Sequence, residues 1–303
     1  MNPTARTTLK CGLVGAGPWA TMFHAPAISG GDETELVGVW ARRPEAAAEL
    51  ARAHGAEAVG SFDELLERCD AVAFAVPPAV QAELAIRAAR RGRTLLLDKP
   101  IAADLDTAER LAAEVADYGV GSVVLLTMRF NGAIRRFITE ARARPWASAR
   151  LRNVSGAFLD GPFSNSPWRH ERGVLLDVGP HAFDLLDAVC GPIVHLKASR
   201  DSDEDPGEVT LTCEHEAGTR SVAVLSGTAT SDVGGRIELS GGDGDGDDVS
   251  LDVWSVDNHD VHANVRRALV DAAAGMNVEC DVHRGAMLQR LIDQAERQLE
   301  ASR

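Results

Sequence analysis

The 303-residue sequence predicts an α/β protein, with a doubly wound parallel sheet in its first half and antiparallel strand patterning in its second. Three observations carry that prediction. Short apolar runs alternate with amphipathic helical stretches from residue 9 to about 126, the pattern of a parallel sheet with helices on both faces. The run Ala71-Val72-Ala73-Phe74-Ala75-Val76 is apolar throughout, as a strand covered on both sides must be. Beyond Met128 the texture changes, and Val209, Leu211 and Cys213 alternate with Thr210 and Thr212, the period-two signature of an antiparallel sheet. The expected division is therefore residues 1–127 and 128–303.

Taken in order, the first strand (9–14) runs directly into Gly15-Ala16-Gly17-Pro18-Trp19-Ala20, and a helix-compatible stretch (21–28) follows. This is the G-x-G-x-x-A form of a dinucleotide-binding fingerprint. Gly15 permits the tight turn, Gly17 lets a backbone approach a pyrophosphate, and Ala20 lets the helix pack closely on the strand; Pro18 and Trp19 complete the loop. The helix start offers unsatisfied N–H groups and a positive dipole end to the phosphates.

The second strand (36–41) ends in Ala41-Arg42-Arg43, where an NAD site would carry the Asp or Glu that binds ribose hydroxyls. A carboxylate repels a 2′-phosphate, whereas a guanidinium pairs with it through a planar fork of donors. NADP(H) is thus favoured over NAD(H). Further strands are predicted at 57–59, 71–76, 94–97 and 122–126, separated by helices at 44–54, 80–90 and 107–118. Asp106 is the expected N-cap of the last, with Glu109 completing a capping box.

In the second half, 131–142 reads as a helix, followed by strands at 150–157, 209–214, 221–226 and 236–239. A helix at about 175–189 interrupts them, and 282–301 is helical by periodicity. Two acidic stretches read as turns. Asp201 to Glu208, broken by Pro206 and Gly207, is a solvated loop. Gly241 to Asp248 lacks the sixth-position Gly and twelfth-position Glu of a calcium loop and reads as a Gly/Asp hairpin turn, so no metal is expected.

A formal charge of −14 excludes a nucleic-acid or anionic-membrane surface. Cys11, Cys69, Cys190, Cys213 and Cys280 lack metal-ligand spacing and read as buried hydrophobes in a reducing compartment. No stretch approaches the ~18 apolar residues of a membrane helix, and the early first strand leaves no room for a secretory leader. A cytoplasmic location is expected.

At this point several motifs stand in order: the Gly-Leu-Val-Gly-Ala-Gly start, His24-Ala25-Pro26, Pro77-Pro78 after the fourth strand, Asp98-Lys99-Pro100 after the fifth, and Leu176-Asp177-x-Gly179-x-His181-x-x-Asp184. Together they resemble the Gfo/Idh/MocA family of glucose-fructose oxidoreductase and inositol dehydrogenase relatives. The resemblance is strongest over residues 8–190. It implies an N-terminal Rossmann domain and a C-terminal α/β domain with a large, mostly antiparallel sheet often used in oligomer contacts, hence a homodimer or homotetramer. It also implies a small-molecule substrate, a sugar, cyclic polyol or related metabolite, oxidised or reduced at a secondary alcohol or ketone.

Lys99 follows a strand at the carboxyl edge, where ligands bind open α/β sheets, and Pro100 holds it in an extended backbone. The family motif there is Glu-Lys-Pro, its Lys contacting the substrate hydroxyl and nicotinamide region; here Asp98 replaces the Glu. Asp177 and His181 are four apart and share one helix face. An imidazole titrates near working pH and suits removal of the hydroxyl proton, and a neighbouring carboxylate can orient it. The resemblance gives His181 the acid/base role and Asp177 the supporting one. Pro180 is best tolerated in a first turn, which equally makes Asp177 a helix N-cap. Asp184 reads as a structural partner. Arg129, Asn131, Trp168 and Arg169 are the weaker, substrate-facing candidates; Pro77 joins the cofactor set. A dinucleotide-binding co-regulator without turnover and a redox-assisted glycosidase are the alternatives on the same fold.

Overall fold

The structure, a computed structural model, describes residues 8–200, 205, 207–241 and 248–301. Its first sheet is built from β1 (Leu9–Val14), β2 (Thr34–Trp40), β3 (Glu57–Ala58), β4 (Ala71–Phe74), β5 (Thr94–Leu97) and β6 (Ser122–Val124). All pairs are parallel, in the order β3-β2-β1-β4-β5-β6. The order reverses between β1 and β4, the crevice where ligands bind a doubly wound sheet. Every residue of β4 and β5 is buried, which is why their sequences lack alternation.

Four regular helices join these strands: α2 (Pro44–Ala53), α3 (Phe62–Arg68), α4 (Pro78–Arg90) and α5 (Leu105–Asp117). The expected helix at 21–28 is two pieces. Ala20–His24 forms a wider turn, with Ala25 N–H bonded to Ala20 O, and α1 (Ala25–Ser29) follows with Pro26 in its first turn. Pro26 has no N–H to give to the regular ladder, and the turn before it opens. The cap of α5 is Asp104, not Asp106. Asp104 is extended (φ −148°) and its Oδ1 accepts from Thr107 N–H at 2.8 Å, whereas Asp106 is already helical.

The second sheet contains β7 (Ser148–Val154), β8 (Ile193–Ser199), β9 (Val209–His215), β10 (Arg220–Ser226), β11 (Gly234–Ser240) and β12 (Val249–Asp252). Its order is β12-β11-β7-β10-β9-β8, antiparallel except for the β7–β10 pair. Val209, Leu211 and Cys213 are fully buried while Thr212 and Glu214 are exposed, as the alternation required. The short helix α6 (Thr127–Phe130), α7 (Gly132–Ala141) and the long α8 (Pro167–Cys190) complete this half, with α8 packed across β7, β9 and β10. β8, β12, α3, α6 and the helix at Val261–Ala273 lie outside the sequence expectation. β12 buries almost nothing and pairs only with β11 at the sheet edge, and its Val249-Ser250-Leu251-Asp252 alternation, four residues long, is at the lower limit of what marks a strand.

The chain forms two compact units. One ends at Leu125 and also takes His259–Ala286; the other takes Leu126–Asn258 and resumes at Met287. The division expected from sequence assigned everything after residue 127 to the second unit, whereas α9 (Val261–Ala273) and the start of α10 (Val282–Ala301) pack with the first. α9 lies against α1, β5 and β6, where Arg266 donates to the Glu33 carboxylate at 3.1 Å and to Ala27 O at 2.9 Å.

The acidic stretch at 242–247 and most of 201–206 fall outside the described residues. Asp205 is described, and it is anchored rather than solvated: Ser226 Oγ, Thr228 Oγ1 (2.7 Å) and Gly207 N–H (3.0 Å) all donate to it. Among the described residues no helix is long and apolar enough to cross a membrane, and no cluster of His, Cys, Asp and Glu has metal-site geometry.

Candidate active site

In the first unit, the carboxyl ends of β1, β2, β4 and β5 gather the residues expected to hold a dinucleotide. Gly15 has φ +113°, and a Cβ built there would sit 2.4 Å from Ala75 O, so only glycine fits this turn. Its N–H donates to Trp40 O at 2.8 Å, and Ala75 N–H donates to Val14 O at 2.8 Å, tying the glycine turn to both neighbouring strands. A Cβ on Gly17 would meet no protein atom within 4 Å, leaving that side of the loop open to a ligand. These two glycines fit a pyrophosphate: one makes the turn, the other leaves the approach clear.

Trp19 stacks on Phe23 with ring centroids 4.8 Å apart. Arg42 and Arg43 follow β2 after Ala41 and are exposed; neither forms an ion pair with the described residues. Arg43 is also the extended N-cap of α2 (φ −103°), so its side chain leaves from the sheet edge rather than from within the helix. Pro77 is the exposed residue that caps α4.

Lys99 is half-buried after β5, and its peptide to Pro100 is cis. Lys99 N–H donates to Asp98 Oδ1 at 2.8 Å. The other carboxylate oxygen, Oδ2, faces the fully buried His24 ring, Nε2 to Oδ2 being 3.8 Å. His24 and Gln81 were not singled out as site residues by sequence, and both are buried against this turn. A signal existed for Gln81. It falls on the buried stripe of α4 shared with Ala85 and Ala88, where a polar residue is out of place.

In the second unit, α8 carries the remaining candidates. Gly173 interrupts it with φ 72° and ψ −170°, a conformation restricted to glycine, and the helix resumes at Val174. Asp177 therefore lies inside the resumed helix and is not its N-cap; Pro180 sits in the interior. The Asp177 carboxylate accepts from Arg169 Nε at 3.0 Å. Arg169 also donates to Ser166 Oγ at 3.1 Å and lies over the rings of Trp168 (4.4 Å) and Phe163 (4.9 Å). Arg169 and Trp168 thus form one packed unit with Asp177, and half-buried His181 is one turn further along the same helix.

Two expected substrate contacts have other employment. Asn131 is 1% exposed and caps α7: its Oδ1 accepts from Ala133 and Ile134 N–H (2.9 and 3.1 Å), and its Nδ2 donates to Asp257 O and Asn258 Oδ1 (2.8 and 2.9 Å). Both acceptor sites and both donors of its amide are thus used within the fold. Arg129 is buried against Asp184, which takes the structural role expected of it.

Comparison with known proteins gives two family matches. Residues 9–125 match the oxidoreductase family with an NAD-binding Rossmann fold, and residues 109–245 match the GFO/IDH/MocA C-terminal domain. The chain is 30% identical over 258 residues to the dTDP-3,4-didehydro-2,6-dideoxy-alpha-D-glucose 3-reductase of Streptomyces antibioticus, covering 76% of this chain and 75% of the relative. It is 32% identical over 191 residues to the enzyme of the same name from Actinomadura kijaniata, a match spanning 59% of this chain but only 55% of that relative. Among solved structures, the WlbA dehydrogenase from Bordetella pertussis, in complex with NADH and UDP-GlcNAcA, superposes with a TM-score of 0.82 at 21% identity, covering 98% of each chain.

Proposed function

The chain belongs to the Gfo/Idh/MocA family of oxidoreductases, and from that premise we propose that it interconverts a secondary alcohol and a ketone on a sugar, cyclic polyol or related small metabolite, with NADP(H) favoured over NAD(H). The observation that carries the cofactor choice is the end of β2: exposed Arg42 and Arg43 stand where a ribose-binding carboxylate would otherwise be. Gly15, Gly17, Pro18 and Trp19 would hold the pyrophosphate loop, Ala41, Arg42 and Arg43 the 2′-phosphate, and Pro77 and Lys99 the nicotinamide side. The bound nicotinamide supplies a hydride acceptor or donor. Lys99 would place its ammonium on the substrate oxygen and stabilise charge developing there. His181 would take the hydroxyl proton during oxidation and return it during reduction, with Asp177, held by Arg169, beside it. The sugar reductases among the relatives support this substrate class. The expected homodimer or homotetramer would use the open face of the second sheet, the side that carries the exposed Lys197 and Thr212 pair.

Fluorescence titration tests the cofactor assignment, with Trp19 and Trp40 as reporters. NADPH should bind more tightly than NADH, and Arg42→Asp should remove that preference. Equal or tighter NADH binding by the wild type overturns it. On a confirmed substrate, Lys99→Ala and His181→Ala should each lose turnover; wild-type rates in both sink the catalytic assignment.

A further inference from the structure

We propose that Gln81 is a positioning residue for Lys99: its buried carboxamide clamps the turn at residues 98–101 and thereby fixes where the lysine is presented. The proposal rests on the reading of Lys99 as the group that meets the substrate oxygen.

Gln81 is 0% exposed, on a helix face otherwise filled by small apolar residues such as Ala82, Ala85 and Ala88. A carboxamide in that position is costly unless each polar atom is bonded. Here it is, and every bond goes to one short segment. Nε2 donates to Asp98 O (2.8 Å), Pro100 O (3.2 Å) and Ile101 O (3.2 Å), while Oε1 accepts from Asp98 N–H (2.8 Å). The orientation of the amide follows from the partners, since three carbonyls need a donor and one N–H needs an acceptor. Lys99 lies inside the clamped segment, and its own N–H is held by Asp98 Oδ1 at 2.8 Å.

The backbone is thus pinned on both sides of Lys99 by a residue from another element. None of these four bonds touches the lysine side chain, so Gln81 acts through the position of the Lys99 backbone. A lysine has four rotatable side-chain bonds, and the accuracy with which it meets a reacting atom depends on how firmly its root is held. Misplacement by about 1 Å is enough to cost on the order of a hundredfold in rate.

The chain has only three lysines, Lys10, Lys99 and Lys197, which permits a test that needs no substrate. Reductive methylation of the full chain with ¹³C-formaldehyde places a label on each, and Lys99→Arg assigns the Lys99 signal. Added NADPH should move that signal in the wild type. In Gln81→Leu the Lys99 signal should shift and broaden and its response to NADPH should fall at least twofold, while Lys10 and Lys197 stay in place. Gln81→Glu supplies a second arm and keeps the size of the side chain. Its carboxylate can accept from Asp98 N–H but has no proton for the three carbonyls, so the Lys99 signal should be displaced at high pH and return toward the wild-type position as pH falls and the carboxyl protonates. A Lys99 signal unchanged in Gln81→Leu, or in Gln81→Glu at all pH values should Gln81→Leu fail to fold, overturns the proposal. Wild-type turnover in Lys99→Ala would instead sink the parent reading and leave the clamp standing.

Discussion

Arg129 Nη1 lies 3.1 Å from Asp184 Oδ1, and the two side chains are only 6% and 2% exposed. The pair joins α6 to α8 across residues far apart in sequence. Two charges taken out of water are tolerated only while each answers the other.

Removing one partner should therefore cost far more than the pair contributes. Asp184→Ala is expected to destabilise the chain by about 3–5 kcal/mol in urea unfolding, because it removes the carboxylate that faces a buried guanidinium. Arg129→Met combined with Asp184→Leu should recover most of that loss. Equal losses in the single and double variants would show that the charges themselves do not set the cost.

Asn131→Ala should remove the cap of α7 and the two bonds to the segment at 257–258, lowering stability by about 1–3 kcal/mol. Asn131→Ser, which keeps a capping oxygen, should regain part of it. Affinity for NADPH should stay within twofold of wild type in both. A stable Asn131→Ala protein would place the side chain's importance elsewhere.

Asp205 gives a pH signature. Burial raises its pKa, but the donors Ser226, Thr228 and Gly207 outweigh that and hold the carboxyl below its ordinary value. A folded value below the unfolded one means stability that is fully present above the unfolded value, near pH 4, and lost as pH falls through the lower folded value. Asp205→Ala should thus cost on the order of 1–2 kcal/mol at neutral pH, and the difference from wild type should shrink below about pH 4. A difference that grows on acidification would reverse the assignment.

All five cysteines are free and buried. Burial pushes the Cys69 and Cys213 thiols up to about 11 and Cys190 up to about 12, so the thiolate is scarce at pH 8. Ellman's reagent should find less than one fast thiol per native chain and five in guanidinium. Rapid reaction of the native protein at any of them would contradict the packing.

Local pattern determined a good deal of this molecule. β1 and β5 fall at the bounds their apolar runs mark, Leu9–Val14 and Thr94–Leu97, because a strand covered on both faces needs apolar side chains on both. Gly15 is readable for the same kind of reason: its φ of +113° is a constraint one residue meets by itself. The alternation at Val209–His215 likewise announces a half-buried strand.

Tertiary structure alone decided what distant partners supply. Asn131 reads as a substrate candidate until its Nδ2 is seen bonded to residues 126 and 127 positions away. Asp177 reads as a cap until Gly173 is found to end one helical piece and start the next just before it. The helix α9 joins the first unit because its buried face matches α1 and the strands β5 and β6, a complementarity that no window of sequence contains. Periodicity and backbone geometry are properties of neighbours along the chain, whereas the bond that gives a polar side chain its role, as with Gln81 and the turn at residues 98–101, forms only after the chain has folded back on itself.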